Sequence, residues 1–340
     1  MLVLGIETSC DESSAALVRD GDEVLSNVVA SQVDLHSEYG GVVPEIAARA
    51  HVEAIVPVLT EALSAAGRPE LVAVTVGPGL VGSLVVGIAV AKGLAWSWGV
   101  PIVAVNHVEA HAFAPALEGG VPPYPFLALV VSGGHTLLAE VGGIDDMEII
   151  GQTLDDALGE AYDKVAKYLG LGYPGGPVID RLSSGGDSRA VDFPRPMISS
   201  GDLNFSLSGL KTAVIRYMMK QSAGVEPPAI PDVAASFQAA ALDVVVRKTL
   251  AAAGQRGLRD LVLGGGVACN TMLRARLGEA CAEEGLNLVL PSPVLCTDNA
   301  AMVAALGYRR FEAGHRCGLE QDVFPNLRMG EPIPGSDRVH

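Results

Sequence analysis

The sequence predicts an α/β protein made of two successive halves, each a mixed β-sheet with helices on both faces. The same order of predicted elements, three strands followed by helix, strand and helix, occurs in each half. Short turns join the opening strands, which predicts antiparallel pairing, whereas helices separate the later strands, which predicts parallel pairing. The length of 340 residues fits two domains of ~150 residues each. We expect the two halves to face each other across a cleft.

The first half opens with three strands, because short strand-like runs are separated by turn signals such as Gly21-Asp22. Apolar residues at helical spacing then predict a helix, and an apolar run closed by Gly77-Pro78-Gly79 predicts a buried strand. The predicted elements are strands at 2–8, 14–18 and 23–31, a helix at 44–66, a strand at 71–76, a helix at 83–98, a strand at 101–105 and a helix bearing His107.

The second half repeats this order around a loop-rich insertion. Its predicted elements are strands at 126–131, 136–141 and 147–153, helices at 154–169, 207–221 and 232–253, a strand at 261–263, a helix to about 284, a strand at 286–290 and a helix at 298–313. The chain from Gly318 is polar and contains prolines, so we expect a loosely held tail. We place the first lobe at 1–112 plus about 298–325, the second at 113–297 and the tail at 326–340.

The composition limits the class of protein. With 49% hydrophobic and 18% charged residues, the chain can build a large core. No apolar run reaches the ~20 residues that cross a bilayer, and the N-terminus lacks a basic segment followed by an apolar stretch. The five cysteines are scattered without CxxC spacing, which fits a reducing compartment. We therefore expect a cytoplasmic protein.

The net charge of −16 constrains any contact with nucleic acid, because proteins that grip nucleic acid over a broad surface are normally basic. Such a contact would need a local basic patch or positive surface from a partner. The candidates are basic residues in the middle of the chain: Lys164, Lys167, Arg181, Arg189, Arg195, Lys211 and Arg216. The alternative is that these are ordinary solvated surface charges.

The segment Asn106–His111 is the most informative part of the sequence. His107 and His111 are four residues apart at the start of a predicted helix, so both imidazoles lie on one face. Asp298, at the mouth of another predicted helix, is a candidate third ligand. Two histidines and one carboxylate would hold a divalent ion and leave positions open for substrate or water. The alternative is a pair of exposed surface histidines.

Two turns of small polar residues stand at equivalent places in the two halves, at 5–14 and 131–136. Small residues allow backbone N–H groups to approach an anion, which predicts phosphate binding; neither turn matches the P-loop pattern. The run Gly264-Gly265-Gly266 would let a base or ribose lie against the backbone. The alternatives are an ordinary hairpin turn for each pair of strands and a tight strand-to-helix turn for the glycines.

Asp163 and Asp180 are further candidates, because each carboxylate could accept hydrogen bonds from sugar hydroxyls or a substrate amine. Spacing alone does not separate this role from those of a solvated helix residue and an acid at a helix start.

Taken together, these motifs resemble those of the universal tRNA N6-adenosine threonylcarbamoyltransferases, in the bacterial form. The resemblance runs from Met1 to about Phe324. Its motifs are GIETSCDES at 5–13, NHVEAH at 106–111, VVSGGHT at 130–136, YDKVA at 162–166, GYPGGP at 172–177, FSLSGLKT at 205–212, GGGVACN at 264–270 and CTDNAAM at 296–302.

The resemblance implies two tandem ribonuclease-H-like lobes of the actin-like ATPase type, with a nucleotide cleft between them. It also implies transfer of threonylcarbamoyl from threonylcarbamoyl-adenylate to N6 of adenosine 37 in tRNAs that read ANN codons, releasing AMP. His107, His111 and Asp298 would bind iron(II) or zinc. The residues that would bind the acyl-adenylate are Val130, Val131, Ser132, Gly133, Gly134, Asp163, Gly176, Asp180 and Asn270. The implied partners are tRNA, a paralogous actin-like subunit in a heterodimer and a small P-loop ATPase.

One departure concerns the metal, because archaeal and eukaryotic relatives have a tyrosine ligand where this chain has Val130. Three protein ligands are therefore expected here. The amine of adenosine is a poor nucleophile, and Asp11 or Glu12 is a candidate catalytic base for its proton.

Two rival functions are a zinc metalloprotease and a non-catalytic nucleotide-binding scaffold subunit. A zincin needs Glu directly after the first histidine, where this chain has Val108, and the inverse motif needs Glu where Ala110 stands. A scaffold would not need the three metal ligands together.

Overall fold

The computed structural model describes residues 1–221 and 229–338, which divide into two units. The first unit contains Met1–Tyr124, Gly142–Glu148 and the chain from Pro291 onward, and the second contains Pro125–Val141 and Ile149–Leu290. Each unit has a mixed β-sheet and helices, which confirms the predicted α/β fold. The predicted lobe boundaries, and the cleft between the lobes, stay predictions.

The opening part of the first unit follows the predicted order. Its elements are β1 (Leu2–Glu7), β2 (Glu12–Arg19), β3 (Glu23–Ser31), α1 (Val33–Ser37), α2 (Pro44–Leu63), β4 (Leu71–Gly77), α3 (Val81–Trp98), β5 (Ile102–Asn106), α4 (His107–Phe113) and a 3-10 turn, Ala114–Leu117. The sequence analysis does not predict α1 or the 3-10 turn, because so few residues carry too little helical periodicity.

The middle of the chain contains the next elements: β6 (Phe126–Val131), β7 (Thr136–Gly143), β8 (Asp146–Gln152), α5 (Leu158–Tyr168), α6 (Gly175–Ser183), α7 (Ser208–Gln221), α8 (Ile230–Arg256), β9 (Asp260–Gly264), a 3-10 turn (Gly266–Cys269), α9 (Thr271–Glu284) and β10 (Asn287–Val289). Helix α6 lies inside the predicted loop-rich insertion, where its glycines and proline are typical of a turn.

The last part of the chain contains α10 (Pro293–Cys296), α11 (Ala300–Glu312), β11 (His315–Cys317) and β12 (Ser336–Arg338). The expectation of a loosely held tail is wrong. The amide of Phe324 donates to the carbonyl oxygen of Val76 at 2.7 Å, and Leu327 and Ile333 are buried in the core of the first unit. These apolar anchors are single residues among polar ones, so the composition of the segment hides them.

The described strands confirm the repeated order. The sheet of the first unit runs β12-β11-β5-β4-β1-β2-β3, and the other runs β10-β9-β6-β7-β8. The strand β1 pairs antiparallel with β2 and parallel with β4, and β6 does the same with β7 and β9. Each sheet therefore has an antiparallel hairpin extended by parallel strands, as the link lengths predict.

Parallel pairing places the start of the candidate site at one edge of the first sheet. Because β1, β4 and β5 run in the same direction, Glu7, Gly77 and Asn106 all lie at their carboxyl ends. Helix α11 packs closely against β1 because Gly5 has no side chain: a Cβ there would overlap the carbonyl oxygen of Ala300. The residues just before α11 are thereby held beside the same strands.

Candidate functional site

The structure brings His107, His111 and Asp298 together. One ligand atom from each lies within 4.8 Å of the others. The Nε2 of His107 is 3.5 Å from Oδ2 of Asp298, and the Nε2 of His111 is 3.2 Å from Oδ1. Three donor atoms at these separations fit around one cation.

Two asparagine caps set the backbone on both sides of this group. The Oδ1 of Asn106 accepts hydrogen bonds from the amides of Val108 and Glu109, which starts α4 directly at His107. The side chain of Asn299 accepts from the amide of Met302 and starts α11 directly after Asp298. The two histidines on α4 are thus one turn apart on one face, and Asp298 is fixed by the cap that follows it.

His111 supplies the test of whether a metal fits. The residue is 1% exposed, and among the described residues its Nδ1 has no hydrogen-bond partner, while its Nε2 has the Asp298 carboxylate at 3.2 Å but no hydrogen bond. Burial removes the water from a ring that makes no hydrogen bond in return, and coordination of one nitrogen to a metal would offset part of that cost. Two imidazole nitrogens and one carboxylate oxygen are a donor set suited to Zn²⁺ or Fe²⁺. The residues present therefore fit a divalent transition metal.

Glu7 contacts Nδ1 of His107, the ring nitrogen that is not directed toward Asp298. The sequence analysis does not single out Glu7 as a functional residue. Its Oε2 lies 2.9 Å from Nδ1 of His107 and accepts a second hydrogen bond from Oγ1 of Thr75 at 2.7 Å. The carboxylate is fully buried. A hydrogen bond donated by Nδ1–H leaves Nε2 of His107 directed toward Asp298, the arrangement seen when a carboxylate orients a metal-binding histidine.

The carboxylates around His107 favour its protonated form when no metal is bound. Burial lowers the pKa of His107, but the carboxylates of Asp298 and Glu7 outweigh burial and raise it to about 9. Burial likewise raises the pKa of Glu7, and the charge and hydrogen bond of His107 bring it below its ordinary value. A metal ion would take the place of the Nε2 proton.

Asp11 and Glu12 lie in the turn between β1 and β2. Asp11 is buried, and Oε1 of Glu12 accepts a hydrogen bond from Ser31 at 3.4 Å. Burial, Asp298 and Asp11 together raise the pKa of Glu12 to about 10. Glu12 therefore holds its proton at neutral pH in the metal-free chain.

Glu109 is turned away from the candidate metal ligands. Its Oε1 accepts the amide of Gly330 at 3.0 Å, and its Oε2 lies 3.6 Å from Arg310. Burial raises the pKa of Glu109 to about 7, against the opposing effect of Arg310. This carboxyl joins α4 to α11 and the end of the chain, so it is not placed as the base of a metalloprotease.

The turn after β6 is open at its glycines. Val130 and Val131 are buried within the strand, so only their backbone could meet a ligand. The amide of Ser132 donates to the carbonyl oxygen of His135, which closes the turn. A Cβ added to Gly133 or Gly134 would meet nothing within 4 Å.

The triple glycine has a mixed role. Gly265 has φ +91°, and a Cβ there would overlap the carbonyl oxygen of Val131, so packing alone requires glycine. A Cβ at Gly266 would meet nothing within 4 Å. The structure thus supports the tight-turn alternative for Gly265 and leaves Gly266 open to a ligand.

Asp180 and Asn270 belong to one hydrogen-bond network in the second unit. Gln238 donates to Oδ1 of Asp180 at 3.2 Å and accepts from Nδ2 of Asn270 at 3.0 Å. The amide of Thr271 donates to Oδ2 of Asp180 at 2.9 Å. Sequence reasoning missed Gln238 and Thr271, since neither belongs to a pattern that predicts chemistry.

Asp163 has a structural partner as well, because its Oδ1 accepts the amide of Gly175 at 2.7 Å and so holds the start of α6. Gly175 is tightly enclosed, with no room for a Cβ beside the carbonyl oxygen of Tyr162, whereas Gly176 is open. At the start of α6, therefore, the second glycine and not the first has open space beside it.

The predicted basic patch is partly neutralised. Lys164 lies 2.7 Å from Asp156 and 2.8 Å from Glu160, and Lys211 lies 2.6 Å from Asp156. Arg195 pairs with Asp192 and Asp243. The four other candidates, Lys167, Arg181, Arg189 and Arg216, are exposed. Ion pairing thus reduces the positive charge that this group can offer to a phosphate backbone.

Comparisons with known proteins agree on one family. The family model TsaD, described as tRNA N6-adenosine threonylcarbamoyltransferase, matches residues 23–305. A protein of that name from Geotalea daltonii is 54% identical over 329 residues, covering 96% of each chain. Another of the same name from Symbiobacterium thermophilum is 50% identical over 333 residues, covering 97% of each chain.

Solved structures with low sequence identity share the fold. HypF of T. kodakarensis has a TM-score of 0.60 at 15% identity, covering 92% of this chain and 47% of that one. Component A of the Acidaminococcus fermentans (R)-2-hydroxyglutaryl-CoA dehydratase has a TM-score of 0.54 at 15% identity, covering 91% of this chain and 98% of that one. These likenesses confirm the predicted actin-like ATPase fold.

Proposed function

This chain belongs to the tRNA N6-adenosine threonylcarbamoyltransferase family, and from this membership we propose how its residues act. The chain is a transferase that modifies tRNA at N6 of an adenosine. The donor is threonylcarbamoyl-adenylate, the acceptor is adenosine 37 of tRNAs reading ANN codons, and AMP is the leaving group. The N6 amine attacks the carbamoyl carbonyl, a carbon–nitrogen bond forms, and the bond from that carbon to the phosphate oxygen breaks.

The observation that carries this proposal is the group of His107, His111 and Asp298. These residues would hold one divalent cation, iron(II) or zinc, which when bound acts as a Lewis acid on an acyl donor. The buried ring of His111, which makes no hydrogen bond and has its Nε2 3.2 Å from Asp298, and the hydrogen bond from His107 to Glu7 support this assignment. Because the mixed anhydride is already activated, the protein needs to orient the donor and needs no nucleophile of its own.

Residues of the second unit are proposed to hold the donor. The open backbone at Gly133, Gly134 and Gly176 lets amides approach the phosphate and sugar without side-chain interference. Asp180 and Asn270 offer further hydrogen bonds, and Gln238 fixes both side chains relative to each other. Asp163 contributes by holding the start of α6, next to Gly176. Val130, Val131 and Ser132 contribute the backbone of the same turn.

The amine of adenosine must lose a proton as the new bond forms. We assign Asp11 as the acceptor, because it is a buried carboxylate on the turn that follows Glu7. Glu12, the adjacent carboxyl on the same turn, is the second candidate for this role. The adenosine also has to leave its stacked position in the tRNA to reach these groups.

A partner subunit is proposed to cover an apolar stripe on α2 and α3. Val52 and Val56 of α2 are each 63% exposed, and Val81, Val85 and Trp96 of α3 are 57%, 48% and 77% exposed. The two helices that carry these residues pack on each other. One described helix, α3, is long and apolar enough to cross a membrane by composition, yet only 33% of it is buried. A paralogous actin-like subunit docked on the outer face of α3 would cover these exposed apolar side chains, which explains why so apolar a helix is largely exposed in the isolated chain.

The charge of −16 makes further partners important for tRNA binding. We propose that the paralogous subunit and a small P-loop ATPase assemble with the chain in the cytoplasm, and that they supply positive surface for the tRNA.

The test is transfer itself, with the chain assembled with its partners, tRNA and threonylcarbamoyl-adenylate. We expect Asp298→Ala to lower the rate by a factor of about 100 or more, while the complex still forms. Asp322→Ala, an acid of the same unit outside the site, serves as the control. Transfer at the wild-type rate by Asp298→Ala would favour the scaffold function. Cleavage of a denatured protein that depends on His107 would favour the metalloprotease.

A further inference from the structure

His51 is a buried imidazole that the proposed chemistry does not use. It lies on the inner face of α2 and is fully buried. Its Nε2 is 3.0 Å from the carbonyl oxygen of Cys10, and its Nδ1 is 2.7 Å from Oγ of Ser13. One side chain therefore contacts the β1–β2 turn at two points, with Asp11 and Glu12 between them.

The two contacts define the state of the imidazole. A carbonyl oxygen can only accept, so Nε2 of His51 carries a proton and donates it to Cys10. The hydroxyl of Ser13 then donates to Nδ1. Burial lowers the pKa of His51, which agrees with a neutral ring that has one donor and one acceptor. Both ring nitrogens of His51 therefore make hydrogen bonds to the turn.

Other contacts on this turn come from side chains, with Glu7 accepting the amide of Ser9 and Ser31 donating to Glu12, and from the backbone. The amide of Leu80 donates to Ser9, and the amide of Gln32 donates to Asp11. The only other side chain with a described contact to the Cys10 carbonyl is Ser83, at 3.5 Å. Among the residues that the structure describes, the His51 side chain contacts the turn on both sides of the two carboxyls, at Cys10 and at Ser13.

We propose that His51 is a positioning residue, which holds the Cys10–Ser13 turn so that Asp11 is presented for the transfer reaction. The proposal rests on the function proposed above. The imidazole touches neither substrate nor metal ligands and acts through the turn. Since α2 also carries Val52 and Val56 on its outer side, the same helix joins the proposed partner surface to this turn.

The test uses the full chain with two kinds of change. His51→Leu fills a similar volume and removes both hydrogen bonds, and His51→Gln keeps a donor and an acceptor. Ile55→Ala is the matched control, because Ile55 lies one turn further along the same inner face and is buried in the core without a hydrogen bond to the turn. The control measures the effect of lost stability alone.

Two readouts separate positioning from stability. For transfer in the assembled complex, we expect His51→Leu to lower kcat by about 10- to 100-fold, with KM for tRNA changed less than about twofold. His51→Gln should recover part of the rate, and Ile55→Ala should keep it. In hydrogen exchange of the full chain alone, amides of residues 9–14 should exchange faster in His51→Leu than in Ile55→Ala.

Equal kcat for His51→Leu and Ile55→Ala, or unchanged exchange at residues 9–14, would overturn the proposal. If His51→Leu does not fold, Ser13→Ala decides, because it removes only one of the two contacts. A lowered kcat with faster exchange in Ser13→Ala supports the assignment, and wild-type values for both overturn it. If the wild-type chain shows no transfer, the proposed function fails, and hydrogen exchange alone still tests the positioning of the turn.

Discussion

Glu7 is placed to influence the candidate metal centre through its hydrogen bond with His107. It accepts hydrogen bonds from His107 and Thr75 in a fully buried site. Such outer carboxylates orient the imidazole and raise its strength as a ligand. The affinity of the centre should therefore depend on Glu7 even though Glu7 is not a ligand.

Glu7→Gln keeps the shape of the side chain and removes its charge. We expect metal affinity to fall by about 10- to 100-fold, because the acceptor of the His107 Nδ1–H bond loses the negative charge that strengthens the imidazole as a ligand. Titration of the full chain with Zn²⁺ against a competing chelator measures this change. Glu61→Gln, an exposed glutamate of α2, is the control. An affinity for Zn²⁺ equal to that of the wild type would show that Glu7 has only a structural role.

Two glycines near β6 should separate ligand binding from folding. A Cβ at Gly133 meets nothing, so Gly133→Ala should leave the melting temperature unchanged and raise KM for the donor. At Gly265, with φ +91° and no room beside Val131, Gly265→Ala should lower the free energy of unfolding by about 1–3 kcal/mol. Thermal melts and donor kinetics of both variants check this. A loss of stability in Gly133→Ala comparable with that in Gly265→Ala would be inconsistent with an open turn.

At the scale of elements, Asp156 joins helices α5 and α7 through Lys164 and Lys211. Burial raises the pKa of Asp156, but hydrogen bonds from the two lysines outweigh burial and leave it below the ordinary value. A carboxyl whose pKa is lower in the folded state stabilises the fold above its unfolded pKa of about 3.9. That contribution is lost as the pH falls through the folded pKa.

Asp156→Asn should therefore lower the free energy of unfolding by about 1–3 kcal/mol at pH 7. The difference from the wild type should shrink below about pH 4, as the wild-type carboxyl itself becomes protonated. Denaturant unfolding at several pH values measures both effects. Asp192→Asn, whose carboxylate is 99% exposed, is the control and should change little. A difference that persists unchanged at low pH would contradict the ion-pair assignment.

The apolar stripe on α2 and α3 predicts which substitution should prevent assembly with the paralogous subunit. Val56→Glu should abolish the complex with the paralogous subunit, because docking would bury a charge in an apolar interface. The melting temperature of the isolated chain should stay the same, since Val56 is exposed. Size-exclusion chromatography of the mixed proteins is the measurement. Val294→Glu, at an exposed valine of α10, is the matched control, and loss of the complex in both variants would count against the stripe.

At the scale of the whole molecule, local patterns predict most of the elements. The strand at 126–131 is predicted end to end, because six apolar residues stand between a turn and a Ser-Gly-Gly run. The repeated order also predicts the matching strand order of the two sheets. The short α1, helix α6 and the tail strand β12 escape prediction, because their periodic signal is too short or is masked by glycine and proline.

The site is predictable only where its signal is local. His107 and His111 are one turn apart, so their shared face follows from spacing, whereas the approach of Asp298 depends on the packing of α11 against β1. Glu7 is a single acid in an apolar strand and has no periodic signal. The pairing of Lys211 with Asp156 joins residues far apart in sequence, which explains why a cluster of basic residues predicts more positive charge than the fold provides.

Anomalous diffraction from crystals of the full chain grown with Fe²⁺ or Zn²⁺, recorded at the edge of each metal, tests the candidate centre most directly. We expect one strong peak within bonding distance of His107, His111 and Asp298, and its loss in crystals of Asp298→Ala. A fully loaded protein with its peak elsewhere, or with the same peak after Asp298→Ala, would contradict the assignment of these three residues.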